Sequence, residues 1–444
     1  MTRTGWIVAV FAPAVAVVAA ASAVFRPVGG VSGSPLPRPA DAPVAVTVGL
    51  AVGQSGCSSG GCHGGVGGPS AARWVTSAHE WAAADPHRRA FEVLEENHAG
   101  TKGLATRMMA LLYPDKPAEE RLATKDVRCL ACHTNPTLAA SKNPHDIALR
   151  SEGVSCEACH GSASGWLGPH TGGAGRAAGY EAGRMAKLYD LGERALACAG
   201  CHVGAPEGNG LPLRDMSHDM IAAGHPRLNF DFATYQFMLP PHWDETDRAP
   251  DFEARAWLVG RVAHAEAACL LTADRAKRAE AWPEFAEYSC VACHHRVGDP
   301  DAAYPASDAK RLGSLPWQPI WPVTGNVPAL GKVETAMRGP RPNPGAGVAA
   351  ANAAKELAGL RTNLGGMTAQ EWFTKALPSG EWDRDLTEQV YHGRVALLRA
   401  TPDRNSVTRI GLAHLAGDAL RLPRGTVRFD LPPGTAEAVR ALVR

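Results

Sequence analysis

The sequence is short of the usual materials for a protein interior. Aromatic residues make up only 6% of its 444 positions. Charge of one sign is missing too. The 45 Lys and Arg are set against 44 Asp and Glu, for a net +1. That balance removes the basic surplus on which a nucleic-acid partner or a polybasic membrane surface depends. Beyond residue 25 no stretch is apolar enough to span a bilayer. Residues 349–444 contain no cysteine, so whatever the cysteines do is confined to the earlier part.

Eleven cysteines are present, and eight fall in four copies of one pattern. These are Cys129-x-x-Cys132-His133, Cys156-x-x-Cys159-His160, Cys198-x-x-Cys201-His202 and Cys290-x-x-Cys293-His294. Cys-x-x-Cys-His is the attachment signature of c-type haem. Its two thiols reach the two vinyl groups of one porphyrin, and the histidine is carried beneath the iron. Paired cysteines also bind zinc or form disulfides. A zinc site, however, draws on two half-sites with interchangeable ligands and has no need of a histidine directly after every pair. Here all four pairs carry one. In Cys57-Ser-Ser-Gly-Gly-Cys62-His63 the gap widens by two small residues and the Cys-His ending is kept. This reads as a fifth attachment site, with a disulfide or an idle pair as the alternatives. The expected cofactor is therefore haem c, four at minimum and five with the widened motif. Porphyrins would fill the interior that aromatic side chains do not, and the 47 Gly and 34 Pro suit a chain that wraps them. Cys269 is left over among Ala267, Ala268, Leu270 and Leu271, as a buried, inert thiol.

Along the chain, residues 1–25 read as an export signal. Arg3 gives a positive start, 7–18 an uncharged apolar core, and Ala21-Ser22-Ala23 resembles a cleavage site. Left uncleaved, the apolar run is long enough to serve as an N-terminal membrane anchor, and both readings stay open. Haem is attached to cytochromes c outside the cytoplasm, so the motifs also call for a periplasmic or otherwise exported location. Residues 26–50 form a flexible lead-in, 51–300 the pentahaem domain, and 301–348 a Pro/Gly-rich linker or wrapping segment. Residues 349–444 form a haem-free helical region, with amphipathic runs near 350–361, 368–376, 384–400 and 406–420. The fold class expected is mainly α with much irregular loop: a multihaem wrap around stacked haems, plus the haem-free helical C-terminal region.

Each iron also needs a ligand on its second side. Asp85-Pro86 starts a helix on which His87, Phe91, Leu94 and His98 share one face. A lone histidine on an apolar face is more often a core residue; several irons in want of a ligand change that balance. His170 follows His160 by ten residues at the end of a Gly-rich loop. His218 and His225 lie two helical turns apart, so one short helix ending at Gly224-His225-Pro226 would aim both at the haems. His79 joins the candidates, whereas His145 and His242 read as turn and loop, and His264 sits inside a long helical run over 252–278. Cys129 and Cys156 are too close for an intervening domain, so their haems are expected as neighbours.

The segment Gly153-Val-Ser-Cys-Glu-Ala-Cys-His-Gly161, followed by His170, resembles the cytochrome c-554/c-prime-like multihaem cytochrome c family. The upstream layout of Trp74, Ser77, His79, Trp81, Asp85, Pro86 and His87 is similar as well. The resemblance covers about residues 55–300. It implies an irregular helical wrap, haems in close pairs, and bis-histidine irons with room for one open iron. It also implies that a histidine of the upstream helix and one just after the Val-Ser-Cys motif are distal ligands. The widened first motif, the His218/His225 segment and the haem-free C-terminal third depart from the family pattern and leave the pairing of ligands with haems open. The function expected is electron relay between redox partner proteins, with no catalytic residue assigned. The alternative is an oxidoreductase acting on a small nitrogen or sulfur compound at one five-coordinate haem. Against it stand the absence of a Cys-x-x-Cys-Lys variant and a surplus of histidines, seventeen in all.

Overall fold

The computed structural model describes residues 50–443 apart from 69–70, 96–102, 173–174, 182–184, 229, 244–248, 279–281, 289, 291–322, 340, 365, 378–381, 383 and 402–433. The expected signal or anchor, the lead-in up to residue 49, His98, Cys293 and His294 lie outside the described residues. Residues 45–444 group as one compact unit. Among the described residues the protein is mainly helical with much loop, as expected, and holds no strand, only isolated bridges such as Ala205 to Arg214. No described helix is long and apolar enough to cross a membrane.

The first half is a string of short helices joined by tight turns. In order they are α1 (Ser77–Ala84), α2 (Leu104–Leu112), α3 (Val127–His133), α4 (Pro144–Leu149), α5 (Cys156–His160), α6 (Leu167–His170), α7 (Arg176–Glu181), α8 (Leu191–His202), α9 (His218–Ala222) and α10 (Phe232–Met238). Helices this short are marginal on their own. Side-chain caps fix several starts: Asp126 accepts from Arg128 N, Asn143 from His145 N, Asp190 from Gly192 N and Glu193 N, and Asp231 from Thr234 N. Three of the Cys-x-x-Cys-His motifs end helices α3, α5 and α8, where one turn sets the two thiols and the histidine side by side.

The second half is organised by α11 (Phe252–Arg278), a helix of 27 residues and therefore about 40 Å long. It is buried on two opposite faces. Phe252, Ala256, Val259, Ala263 and Ala267 pack with Ala195, Ala199, Phe230 and Phe232, toward α8. Ala254, Trp257, Leu258, Val262, Ala265, Cys269 and Ala273 pack into a core built with the C-terminal helices. Those helices are Pro328–Met337, Ala346–Thr362, Ala369–Ala376, Arg384–Ala400 and Thr435–Val443. Ala346, Ala350, Ala353 and Ala354 are buried at the seam, and such small side chains allow close packing of the two helices. Cys269 is fully buried, with burial pushing its thiol up, as expected of an inert cysteine.

Some elements differ from the sequence reading. Residues 86–94 form two tight 3₁₀ turns, Pro86–Arg89 and Glu92–Leu94, in place of a continuous helix. The carbonyls that would continue a helical ladder are taken elsewhere: His87 O accepts from Val154 N at 3.0 Å, and Ala90 O from His133 Nδ1 at 2.7 Å. His218 and His225 do not share a helix either. Helix α9 ends at Ala222, Gly224 turns the chain at φ 116°, and His225 lies beyond. Helix α8 begins at Leu191, where Asp190 caps it. Within the segment read as linker or wrap, Pro328–Met337 is helical with Leu330, Val333 and Met337 fully buried. The C-terminal runs near 350–361, 368–376 and 384–400 form helices at those places, while 406–420 lies outside the described residues.

Candidate functional site

A cavity of about 2600 Å³ occupies the first half of the molecule, well beyond the roughly 300–1,000 Å³ of a pocket for one small ligand. Its walls carry all the cysteines and the histidine of four motifs: Cys57, Cys62 and His63; Cys129, Cys132 and His133; Cys156, Cys159 and His160; Cys198, Cys201 and His202. Cys159 lies deep inside the chain, so the surface that it exposes faces this cavity. All the described cysteines are free thiols. Those that meet come from motifs far apart in sequence: the thiols of Cys57 and Cys156 are neighbours, as are those of Cys132 and Cys201.

Local folding sets these groups. In the widened first motif, His63 N donates to Cys57 O and Cys62 N to Ser59 O, so the extra residues close a small loop and bring Cys62-His63 back under Cys57. The same loop is held to the third motif by Glu157, which is buried between Cys156 and Cys159. Its carboxylate accepts from Val52 N, Gly53 N and Ala163 N, the last at 2.6 Å. Gly153, at φ 71°, brings the backbone against His87 and Arg88. A Cβ there would lie 2.5 Å from Arg88 O and 2.7 Å from His87 O.

The motif histidines do not stand alone. His63 faces His170 with ring centres 6.3 Å apart and planes within 3° of parallel. His202 faces His87 at 6.0 Å and 75°, and His133 faces His225 at 6.2 Å and 81°. Imidazole nitrogens that bind one metal from opposite sides at about 2 Å set the ring centres roughly 6 Å apart. All six rings line the cavity. In five of them Nδ1 is fixed by an oxygen: His63 by Trp74 O, His170 by Leu167 O, His133 by Ala90 O, His225 by Pro226 O and His87 by Asp85 Oδ1, at 2.6 to 2.9 Å. That bond selects the Nδ1–H tautomer and leaves Nε2 as the free donor, the arrangement expected of metal-bound histidine. Separation, shared cavity and tautomer all fit axial ligation of haem iron. By contrast, no group of three or more His, Cys, Asp or Glu among the described residues converges as a metal cluster would require.

Burial tunes these groups in one direction. It lowers His133 and His225, and carries His160 and His202 down to about 4. A neutral imidazole is the form that binds a metal. His87 is the exception: burial opposes its charge, but the Asp85 carboxylate outweighs burial and raises it. Burial pushes the thiols of Cys129, Cys159 and Cys198 up to about 12, which does not suit exposed, low-pKa redox cysteines.

Of the further histidines expected to reach the haems, His87, His170 and His225 each face a motif histidine. His79 does not line the cavity; it is exposed, and its Nε2 is engaged by Gly64 O at 3.0 Å. His218 packs edge-on against Phe285, away from the four motifs. Cys290 is the described part of the fifth motif and lies near Arg227. Two histidines read otherwise prove notable. His242 lines the cavity, on a loop in which Pro240 and Pro241 restrict the backbone just before it. His264 is half-buried in α11 against Arg261, whose guanidinium lies 2.7 Å from its Nδ1.

Residues 59–161 match the family model described as cytochrome c554 and c-prime. No curated protein and no solved structure matches the chain. The matched stretch runs from the widened first motif to the end of the third, through His87, and it implies haem c as the group that the cavity receives. Over these residues the chain is similar to the cytochrome c554 and c-prime family, which supports a c-type cytochrome of that kind.

Proposed function

We propose that the chain is an exported multihaem cytochrome that relays electrons between redox partner proteins, with five haems attached through the five Cys-His motifs. The three facing imidazole pairs carry this reading. Haem c, when bound, would supply the one-electron chemistry of such a relay. The chain's own part is to anchor and to hold. Cys57 and Cys62, Cys129 and Cys132, Cys156 and Cys159, Cys198 and Cys201, and Cys290 and Cys293 make the thioether links. His63, His133, His160, His202 and His294 would hold the irons, joined by His170, His225 and His87 at the first, second and fourth motifs, whose histidines they face. Paired neutral imidazoles favour low-spin iron, with little rearrangement on electron transfer and a low potential. Export is supported by the attachment chemistry and by the character of residues 1–25.

A second reading has one specific observation behind it. No aromatic ring packs on His160 among the described residues, and its buried Nδ1 has no protein partner. An oxidoreductase with one open iron, acting on a small nitrogen or sulfur compound, would be placed there. Intact mass together with a pyridine haemochrome assay tests the haem number. Five per chain is expected; four would remove the Cys57/Cys62 site, and fewer would overturn the multihaem reading.

A further inference from the structure

Of the six facing imidazoles, His202 is the one whose Nδ1 has no oxygen partner among the described residues. Rings hold it instead. Phe230 stacks on it at 6.0 Å and 17°, and Tyr235 meets it edge-on at 4.9 Å and 67°. Phe230 is in turn held from the far side of α11. Its carbonyl accepts from Nη2 of the buried Arg261, whose Nη1 donates at 3.1 Å to Gln389 Oε1 on the C-terminal helix Arg384–Ala400. A second contact reaches the same site through the other end of α8. Arg361, in the last turn of Ala346–Thr362, has only 8% of its side chain exposed. Its Nη1 donates to Glu193 Oε1 at 2.8 Å in the first turn of α8, and its Nε to Glu266 Oε2 at 2.7 Å on α11. A planar guanidinium that grips carboxylates on two helices fixes how those helices are set. Gly192 makes room for it: a Cβ there would lie 2.9 Å from Arg361 Cγ and 3.0 Å from Arg361 O. Arg361 and the three residues after it line the cavity, so the region read as haem-free supplies part of its wall.

From these two lines of contact we infer that the C-terminal helices position the fourth haem site. Arg361 is the positioning residue for α8, which ends in Cys198, Cys201 and His202. Gln389 acts on the His202 ring through Arg261 and Phe230. The inference rests on the multihaem reading above. It gives a part in electron transfer to a region without motifs, beyond the stretch matched by the cytochrome c554 and c-prime model: the C-terminal helices set the ligand geometry of one haem among several.

The test uses the holoprotein. Mass spectrometry of the peptide containing Cys198 and Cys201 comes first; absence of haem there would overturn the multihaem reading, and the inference with it, before any variant is made. The variants then bear on the inference alone. Arg361→Gln and Glu193→Ala cut the same bridge and remove opposite charges. Both should keep the haem content of wild type and change the low-spin electron paramagnetic resonance signal of one haem, the same one whose potential Asp85→Asn moves through His87. Potentials that shift in opposite directions with every signal unaltered would show an effect of charge alone and overturn the inference. Wild-type signals and potentials in both variants would overturn it as well. Arg361→Lys, which keeps the charge, should bring the signal back toward wild type. If Arg361→Gln loses haem or fails to fold, Glu193→Ala decides, because Glu193 is half-exposed and its loss leaves Arg361 paired with Glu266.

Discussion

Gly153 shows how much one residue can hold together. Its positive φ lets the backbone before α5 press on His87 O and Arg88 O, and the next residue, Val154, donates to His87 O. The third motif thereby sets the histidine that faces the fourth. Gly153→Ala should cost about 1–3 kcal/mol from backbone strain alone, with added cost from the close carbonyls, and should disturb the site of His202 before that of His63. A denaturation curve and a redox titration of the same sample would separate the two effects. Asp85 acts on the same histidine by charge. Replacing it with Asn removes the carboxylate that raises His87 and strengthens it as a donor. One haem potential should rise and the others should hold; no movement in any potential would show that His87 is not a ligand. At this scale the motif residues were legible because haem attachment is local chemistry, settled within five to seven positions. The facing ligands were less so. His170 and His87 could be named as candidates, but which ring each meets depends on contacts between distant segments.

Among the elements, α11 was the most legible, because an unbroken alanine-rich run has few alternatives to a helix. What it does was not. Its two buried faces separate the motif-bearing half from the C-terminal helices, and Gly393 lies so close to Trp257 that a Cβ would sit 2.5 Å from the indole. Filling the seam with a larger side chain, as in Ala353→Leu, should cost about 1–3 kcal/mol by overpacking, read as a lower denaturation midpoint. Near its end, Arg275 is buried and bonds both Asp215 and Glu287, while Arg278 also reaches Asp215 at 2.7 Å. Burial raises Asp215, but these guanidinium groups outweigh it and hold the carboxyl below its ordinary value of 3.8. A depressed carboxyl stabilises the fold above its unfolded value and loses that contribution as pH falls through the folded value. Acid unfolding should therefore be less steep in Asp215→Asn than in wild type below about pH 4; equal steepness would show that the pair adds nothing. The expected helix over 86–98 gave way because two of its carbonyls are claimed by Val154 and His133, which no local pattern announces.

For the molecule as a whole, low aromatic content and a large cavity are two sides of one fact. Short capped helices line a space of about 2600 Å³ that side chains do not fill, and the cytochrome c554 and c-prime match covers the stretch that builds much of its wall. Without haem those helices have little to pack on, so the chain should fail to reach its native fold when attachment is prevented. Replacing both cysteines and the histidine of the third motif should lower stability more than any single substitution named above, as measured by proteolysis. Electron paramagnetic resonance of the oxidised holoprotein, alone and with nitrite or hydroxylamine, tests most directly whether paired imidazoles make the site a relay. The imidazole pairs predict low-spin ferric signals only, unaltered by either compound. They should fall in two classes, because the parallel His63/His170 rings split the iron orbitals differently from the near-perpendicular pairs. A high-spin signal that shifts when nitrite or hydroxylamine is added would contradict the relay and point to an open, reactive iron.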